Sequence, residues 1–353
     1  MSKLLRLLGV LVGAGAGTMV AAALGSALAH PGNRLDLINH AAPFLIVGGI
    51  VLCAAVLFFL PANRMRLVYV VATAIATVPF IGRVLPESVA AAQLERVDAD
   101  PAIPQIRIIW LNAFSFNADT SQAVAYLRDS GADIIAVSER IGDDTAFFDP
   151  LATAYPHRID CNVGPYCAVT IMAKAPLEPV TPPARLRDLA AQQPEEGWFR
   201  LRYAAVVAAV PTVHGAMPLT LLAVHMQRPS LPAAFAANLH QLSVLSETLP
   251  SSTAIVVGDF NATPWSNALQ DVDRVVGLPR LTRALATWPV RPATRLQIPM
   301  PVPLLPIDHA FAGRDWRVIS VRAGPRVGSD HLPVELTLQW AGPLPQAPPP
   351  QGP

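Results

Sequence analysis

The chain has 353 residues, of which 52% are hydrophobic and only 14% are charged, and its formal net charge at pH 7 is +1. Soluble domains usually carry about 25% charged residues. The composition therefore excludes an ordinary, wholly soluble protein and predicts a membrane-embedded portion. The near-zero net charge also provides no basic footprint of the kind that binds duplex DNA.

Three apolar segments near the N-terminus predict about three transmembrane helices, at residues 4–29, 42–61 and 67–86. Each approaches the ~20 residues that cross a hydrocarbon core about 30 Å thick. The third segment is interrupted by Pro79. The first has an alternative interpretation as a cleaved signal peptide, because a basic head precedes it and Ala-Leu-Ala stands before His30.

Lysine and arginine in the short flanks decide the expected orientation. Lys3 and Arg6 precede or begin the first segment, and Arg64 and Arg66 lie between the second and the third. These basic flanks predict a cytoplasmic N-terminus. Three spans then place everything after residue 86 outside the cytoplasm, in a multi-pass protein of the cell membrane.

Two of the three cysteines, Cys161 and Cys167, flank a Gly-Pro turn in the segment CNVGPYC. In an extracytoplasmic domain such a pair is expected to form a disulfide, and the alternative is two unrelated thiols. The spacing fits neither a CxxC redox motif nor a zinc site. Cys53 lies within the second apolar segment and is interpreted as an ordinary apolar residue.

The rest of the chain divides into a linker at 87–105, a globular domain at 106–340 and a proline-rich tail at 341–353 that is predicted to be disordered. Within the domain, eight apolar runs predict buried strands. They lie at 106–114, 132–139, 166–173, 203–210, 219–226, 253–260, 307–312 and 332–340. Apolar residues spaced three and four apart predict helices at 121–130 and 233–249.

Many strands with few intervening helices favour an α+β fold: a four-layer α/β/β/α sandwich that follows the N-terminal transmembrane helices. The alternative is a doubly wound α/β domain. No GxGxxG segment follows the first predicted strand, so a dinucleotide-binding Rossmann sheet is not expected.

Polar side chains stand at one end of almost every predicted strand. They are Asn112, Glu139, His225, Asp259, Asn261, Asp308, His309, Ser329, Asp330 and His331. Taken singly, each has an ordinary interpretation as a turn residue, a solvated carboxylate or a structural histidine. Together they supply the oxygen ligands that a hard divalent cation prefers, and ligand sites are commonly built where strand and loop ends converge.

The segments WLNAFSFN, DIIAVSE, LLAVHM, VVGDFNATP, IDHAF and GSDHLPV occur in this order along the chain. They resemble the motifs of the endonuclease/exonuclease/phosphatase superfamily, which includes deoxyribonuclease I-like nucleases, inositol-phosphate phosphatases and sphingomyelinases. With its N-terminal spans, the chain is similar to a membrane-anchored bacterial subgroup that has an external catalytic domain. The resemblance implies a metal-dependent phosphoric ester hydrolase that uses Mg²⁺ or Mn²⁺.

The resemblance also implies a role for each of eight residues. On the metal side it places Glu139 as the metal-binding acid, with Asn112 and Asp330 nearby. For the chemistry it implies His225 to protonate the leaving group, Asp259 to polarise the attacking water, Asn261 to hold that water or a phosphate oxygen, Asp308 to support a histidine, and His331 beside the phosphate. Which acid or histidine is the general base stays open.

The chain departs from the family pattern in three places. Ser138 stands where many members have glutamine, and the segment VHMQRP replaces the commoner Thr-His-Leu around His225. The usual arginine of the following helix is absent; Asn238 lies in that area, and Gln241 matches the family's glutamine. These departures concern substrate contacts rather than the chemistry.

The predicted membrane placement favours a lipid-linked or envelope phosphate ester as the substrate. Nucleic acid is an alternative that charge does not favour, because the domain carries 19 Lys plus Arg against 20 Asp plus Glu. Arg200, Arg202 and Arg228 could hold phosphates locally or be ordinary surface residues. A catalytically inactive binding module is the second alternative, but such a chain would be expected to lose Glu139, Asp259 or a histidine.

Overall fold

The computed structural model describes residues 3–30, 33–161, 167–193, 199–212, 215–290 and 300–343. The chain divides into two compact units. The N-terminal unit contains Met1–Gln93 together with two later segments, Pro229–Pro232 and Ala262–Asp271. The second unit contains Leu94–Arg228, Ala233–Asn261 and Val272–Pro353. Most of the predicted proline-rich tail lies outside the described residues.

The first 93 residues of the N-terminal unit contain four described helices: α1 (Lys3–Ala27), α2 (Asp36–His40), α3 (Ala42–Phe59) and α4 (Arg64–Ala92). The three long helices coincide with the three predicted segments and are candidate membrane spans by length and composition, with mean hydropathies of 2.0, 2.6 and 1.8. Their outward side chains are apolar, and Phe58 is 82% exposed. Such a surface is compatible with lipid rather than with water.

Helix α4 is longer than the predicted third segment. It begins where the Asn63 side chain accepts a hydrogen bond from the backbone N–H of Arg66, which is an ordinary N-cap. It continues through Pro79 and Pro86 to Ala92, so the first residues of the predicted linker are helical. The short helix α2 was not predicted, because five polar and apolar residues carry no helical period.

After α4 the described residues contain eleven strands and several helices, all in the second unit except the first residue of α8 and the first half of α9. In chain order they are β1 (Gln105–Asn112), α5 (Ser121–Asp129), β2 (Ile134–Ser138), α6 (Thr145–Phe148), the 3₁₀ helix Asp149–Leu151, β3 (His157–Asp160), β4 (Val169–Ala173), β5 (Glu178–Pro179), α7 (Ala184–Ala191), β6 (Arg202–Thr212), β7 (Gly215–His225), α8 (Pro232–Ser246), β8 (Ala254–Asp259), α9 (Asn267–Val276), β9 (Asp308–Ala312), β10 (Trp316–Ala323) and β11 (Val334–Trp340).

The strands form two mixed sheets that pack face to face. The first has six strands in the order β10-β11-β1-β2-β4-β3, and the second has five in the order β5-β6-β7-β8-β9. Side chains of both sheets, such as Ile108 and Ile171 from the first and Leu221 and Val257 from the second, share one buried core. The predicted sandwich is therefore confirmed.

Helices cover the outer faces of the two sheets. Leu127 of α5 and Phe147 of α6 pack with Ile135 in a second buried cluster on the first sheet. Helix α8 likewise buries Phe235 and Leu242. The central strands of the two sheets are covered on both faces, so their sequences are continuous apolar runs. All eight predicted runs contain a strand.

Three strands were not predicted: β3, β5 and β10. All three are short or lie at a sheet edge, where one face is exposed and no continuous apolar run is needed. Helix α9 was also missed, although its buried Leu269, Val272 and Val276 do follow a helical spacing.

Candidate active site

Strand register places four chemistry-bearing residues in one row across the five-stranded sheet. Arg202 of β6 is paired with His225 of β7, His225 with Asp259 of β8, and Asp259 with Asp308 of β9. Residues directly opposite on neighbouring strands project on the same face. The row therefore brings an arginine, a histidine and two acids to one end of this sheet.

Strand β1 of the other sheet meets this row through two hydrogen bonds. The indole Nε1 of Trp110 donates to Asp308 Oδ1 at 2.8 Å, and Asn112 Nδ2 donates to Asp259 Oδ2 at 3.0 Å. Trp110 and Asn112 are two residues apart on one strand, so both point towards the opposite sheet. The site thus lies between the two sheets and is fixed by both.

Asp308 and His331 form a buried ion pair. Asp308 is fully buried, and besides the Trp110 bond its Oδ2 accepts hydrogen bonds from Thr287 Oγ1 at 2.6 Å and His331 Nδ1 at 2.8 Å. Burial alone would lower the pKa of His331, but the charge and hydrogen bond of Asp308 outweigh it and raise this pKa to about 10. His331 is therefore an imidazolium at neutral pH.

Asp259 lies between the two histidines. Its Oδ2 is 3.8 Å from Nε2 of His225 and 3.8 Å from Nε2 of His331, and its Oδ1 accepts the backbone N–H of Asn261 at 2.8 Å. Burial, followed by the nearby charge of Asp308, raises the pKa of Asp259 to about 7. A carboxylate with this pKa is suited to exchanging a proton near neutral pH.

Glu139 follows β2 with its backbone in the left-handed region, at a φ of 64°. Its Oε2 accepts hydrogen bonds from the backbone N–H and the hydroxyl of Ser115 at 2.8 and 3.0 Å, and its Oε1 accepts one from Asn112 Nδ2 at 3.1 Å. Burial opposes ionisation, but His225, the Ser115 N–H and the Asn112 amide together lower the pKa of Glu139 to about 2. This carboxylate is ionised, and 23% of its side chain is exposed.

His225 and Arg202 are neighbours with different charge. His225 is buried, its Nε2 lies 3.7 Å from Glu139 Oε1, and its Nδ1 has no hydrogen-bond partner among the described residues. Burial, and then the positive charge of Arg202, lower the pKa of His225 to about 3, so this imidazole is neutral. Arg202 interacts electrostatically with Glu139 and Asp259, and its Nε is buried without a partner among the described residues.

Asp330 and Asn261 lie beside this centre. Asp330 Oδ2 accepts a hydrogen bond from Trp288 Nε1 at 3.0 Å, while its buried Oδ1 lies 4.0 Å from His331 Nε2 and has no hydrogen-bond partner in the described part of the chain. Asn261 has a φ of 53° and donates from Nδ2 to the carbonyl of Met226 at 3.0 Å. One amide N–H of Asn261 therefore joins two loops instead of pointing at a substrate.

The GDFN segment combines packing and chemistry. Gly258 is paired with Val224, and a Cβ at this glycine would collide with the Val224 carbonyl oxygen. Phe260 is fully buried and packs edge to face on Phe311. The glycine and the aromatic residue thus hold β8 in the sheet, whereas Asp259 reaches the site.

The structure brings together seven of the eight predicted residues within one connected group and places Asn261 at its margin. The sequence did not identify Trp110, Ser115, Thr287 and Trp288, each of which donates to a carboxylate of the site. Trp110 could have been found from its spacing of two from Asn112, but the other three lie in loops without a periodic signal.

Two amides of helix α8 support the backbone near Arg202. Asn238 lies where the family pattern has an arginine, and Gln241 matches the family's glutamine. Asn238 Nδ2 and Gln241 Nε2 both donate to the carbonyl of Phe199, and Gln241 Oε1 accepts the N–H of Leu201 at 3.1 Å. These amides are buried and contact protein backbone.

Several groups of the site could hold a cation. Ligand atoms of Asp259, Asp308 and His331 lie within 4.8 Å of one another. Asp308, however, is fully buried and already accepts three hydrogen bonds, so the partly exposed Glu139 and the Oδ1 atom of Asp330 fit a hard cation better. The unpartnered buried Oδ1 of Asp330 and the partly exposed Glu139 carboxylate agree with this fit.

No curated protein matches the chain. Among solved structures it is similar to an endonuclease/exonuclease/phosphatase from Beutenbergia cavernae, with 20% identity, a TM-score of 0.50 and coverage of 67% of this chain and 72% of that one. It is also similar to the beta toxin of Staphylococcus aureus (13% identity, TM-score 0.46, coverage 65% and 99%) and to TDP2 of D. rerio (13%, 0.48, 66% and 98%).

The first of these likenesses shows the fold alone. A model of the Endonuclease/Exonuclease/phosphatase family matches residues 109–331, which is more than half of the chain and includes every residue of the site described above. The chain therefore belongs to the endonuclease/exonuclease/phosphatase family.

Proposed function

We propose that this protein is a divalent-metal-dependent phosphoric ester hydrolase. The observation that carries the proposal is the pair of buried groups Asp259 and His331, whose Oδ2 and Nε2 atoms are 3.8 Å apart. The pKa of Asp259 is raised to about 7 and that of His331 to about 10. One group accepts a proton near neutral pH while the other donates one. Phosphate-ester hydrolysis needs both, together with positive charge at the non-bridging oxygens.

In the proposed reaction, water attacks phosphorus in line with the leaving oxygen, the new P–O bond forms and the ester P–O bond breaks. Asp259 Oδ2 takes the proton of the attacking water. His331 Nε2 gives its proton to the leaving oxygen and is held in place by Asp308 at Nδ1. A bound Mg²⁺ or Mn²⁺ would be held by Glu139, Asn112 and Asp330, and would neutralise charge on the phosphoryl oxygens.

The protonation states of the two histidines favour roles that differ from those implied by the family resemblance. The resemblance implies that His225 protonates the leaving group, but a histidine with a pKa of about 3 carries no proton to give at neutral pH. His225 instead serves as a neutral hydrogen-bonding group, with Arg202 supplying positive charge at the same level of the sheet. His331 is the proton donor in this scheme.

Asp259→Asn and His331→Gln test the reaction directly. Each should lower kcat for bis-p-nitrophenyl phosphate with Mg²⁺ by about 10²-fold or more, since positioned acid–base groups contribute about 10²–10⁴-fold. The measurement is hydrolysis by the detergent-solubilised full chain. His240→Gln, at an exposed histidine of α8, is the matched control and should retain wild-type activity. Equal rates for all four proteins would refute hydrolysis at this site and would favour the alternative, a catalytically inactive binding module.

Glu139→Gln tests the metal role. The change keeps the shape but removes the charge, so the Mg²⁺ concentration for half-maximal activity should rise about 10–100-fold, the range typical of altered metal sites. Mn²⁺ binding by calorimetry gives a second measurement that is independent of turnover and should weaken in parallel. Glu178→Gln, at an exposed glutamate, is the control. Unchanged metal affinity in the Glu139 variant would refute this assignment.

For the substrate, we favour an amphiphilic, lipid-linked phosphate ester. The loops that follow Asn112 and Glu139 expose two large apolar side chains, Phe116 at 85% and Ile141 at 48%. The loops are joined, because the Arg140 guanidinium donates to the carbonyls of Phe114 and Asn117 at 2.8 and 2.9 Å. Exposed apolar groups beside a polar site fit a ligand with an apolar part.

Phe116→Ser should therefore separate substrate classes. We expect at least a fivefold loss of kcat/KM for a phospholipid or prenyl phosphate in mixed micelles, and no loss for bis-p-nitrophenyl phosphate. Val207→Ser, at an exposed position on β6, controls for surface polarity. Faster hydrolysis of a short single-stranded oligonucleotide, with no effect of Phe116→Ser on the lipid, would instead support the nuclease alternative.

We further propose that the catalytic unit faces the extracytoplasmic side, as the basic flanks predict. The Cα atoms of Cys161 and Cys167 are 5.6 Å apart, which suits a disulfide in an oxidising compartment. In intact cells a C-terminal alkaline phosphatase fusion should be active, and the two cysteines should react with maleimide only after reduction. An inactive fusion with freely reactive thiols would place the unit in the cytoplasm.

A further inference from the structure

The N-terminal unit contains more than the N-terminal helices. It includes Pro229–Pro232, which begins four residues after His225, and Ala262–Asp271, which follows directly on Asn261. The backbone that leaves two of the proposed catalytic positions is thus packed as part of the membrane-associated unit. The contacts within this unit show which residue holds the second segment.

Asp36 of the short helix α2 holds the start of α9. This aspartate is 2% exposed, although buried carboxylates are rare unless their oxygens are paired. Its Oδ1 accepts the backbone N–H of Asn267 at 3.0 Å, and its Oδ2 accepts the backbone N–H of Ala268 at 2.9 Å. Asn39 Nδ2 donates to the same Oδ1 at 2.7 Å.

These two bonds complete the cap of α9. Ser266 is the ordinary N-cap residue, and its hydroxyl accepts the N–H of Leu269 at 3.1 Å. The N–H groups of Asn267 and Ala268 would otherwise lack an intrahelical acceptor. Asp36, more than 230 residues earlier in the chain, supplies both acceptors and adds a negative charge at the positive end of the helix.

Further bonds in the N-terminal unit hold the same segment. Trp265 Nε1 donates to the carbonyl of His40 at 2.9 Å, and Asn267 Nδ2 donates to the carbonyl of Ala29 at 2.9 Å. From α4, Arg83 donates to the carbonyl of Trp265 at 3.3 Å and to Asn267 Oδ1 at 3.0 Å. Every one of these bonds fixes a residue between 265 and 267.

Only five residues separate Asn261 from Asn267, and one of them is Pro264, whose φ is fixed. Asn261 has a left-handed backbone, and its N–H bonds Asp259 Oδ1. So short and restricted a connection transmits a displacement of its anchored end to Asp259. A misplacement of about 1 Å at a reacting group costs on the order of 10²-fold in rate.

We infer that Asp36 is a positioning residue for the loop that carries Asp259, so that full hydrolytic activity requires a correctly folded N-terminal unit. The inference rests on the proposed function. Asp36 touches no reacting group, and its effect is exerted through the α9 cap and the segment that precedes it. It therefore acts on turnover rather than on substrate or metal binding.

Asp36→Ala in the full chain, reconstituted in lipid nanodiscs, tests this inference. We expect kcat for bis-p-nitrophenyl phosphate to fall about 10–100-fold, with KM and the Mg²⁺ requirement changed less than twofold. Hydrogen exchange should accelerate in peptides covering 262–271 and stay unchanged in β1. Arg34→Ala, at an exposed residue two positions before Asp36, should match wild type in all measurements. Asp36→Asn, which keeps an acceptor oxygen, should restore part of kcat.

Two results would overturn the inference: an unchanged kcat in Asp36→Ala despite faster exchange in 262–271, or unchanged exchange there. If Asp36→Ala accelerates exchange throughout the chain, including β1, the Asp36→Asn variant decides. A wild-type kcat with faster exchange in 262–271 refutes the positioning role. A lowered kcat with exchange changed only in that segment supports it. Absence of hydrolysis by wild type would refute the proposed function instead, and the exchange data would still report on the α9 cap.

Discussion

The site depends on one fully buried carboxylate, Asp308. Its three hydrogen bonds come from β1 of the opposite sheet, from the loop at Thr287 and from His331 before β11, so one side chain joins four parts of the fold. A buried charge is tolerated only when it is paired and hydrogen-bonded. The imidazolium that satisfies this requirement is also the group proposed to donate a proton. In this site, structural pairing and chemistry therefore use the same bond.

The sequence predicted the sandwich, and it singled out most of the side chains that the structure brings together, because both follow from strand patterns. Buried central strands are continuous apolar runs, and a polar residue at the end of such a run is conspicuous. This identifies Asn112, Glu139, His225, Asp259 and Asp308 without knowledge of their contacts. The sequence could not predict the row from Arg202 to Asp308, because the registers of β7 on β8 and of β8 on β9 are set by pairing between strands that are distant in the chain.

The protonation states of the two histidines of the site could not be predicted from the sequence either. Both histidines are buried and have the same intrinsic pKa, but their pKa values in the fold differ. His225 has the cationic Arg202 as its strand neighbour, whereas His331 is hydrogen-bonded to the carboxylate of Asp308. Asp36 escaped prediction for a related reason. It lies in a short segment between apolar helices, and only the folded chain brings it to the N–H groups of Asn267 and Ala268.

Gly258 is required by the sandwich itself, whether or not a chain with this fold is an enzyme. Its missing Cβ is a requirement of the close approach of β7 and β8, and any side chain there would collide with the Val224 carbonyl. A chain that retained this sandwich only as a scaffold would still need the glycine, and it would still benefit from the buried Phe260. It would have no such need for the acid between them. In the segment GDFN, the glycine and the phenylalanine therefore report on architecture, and the aspartate alone reports on the proposed chemistry.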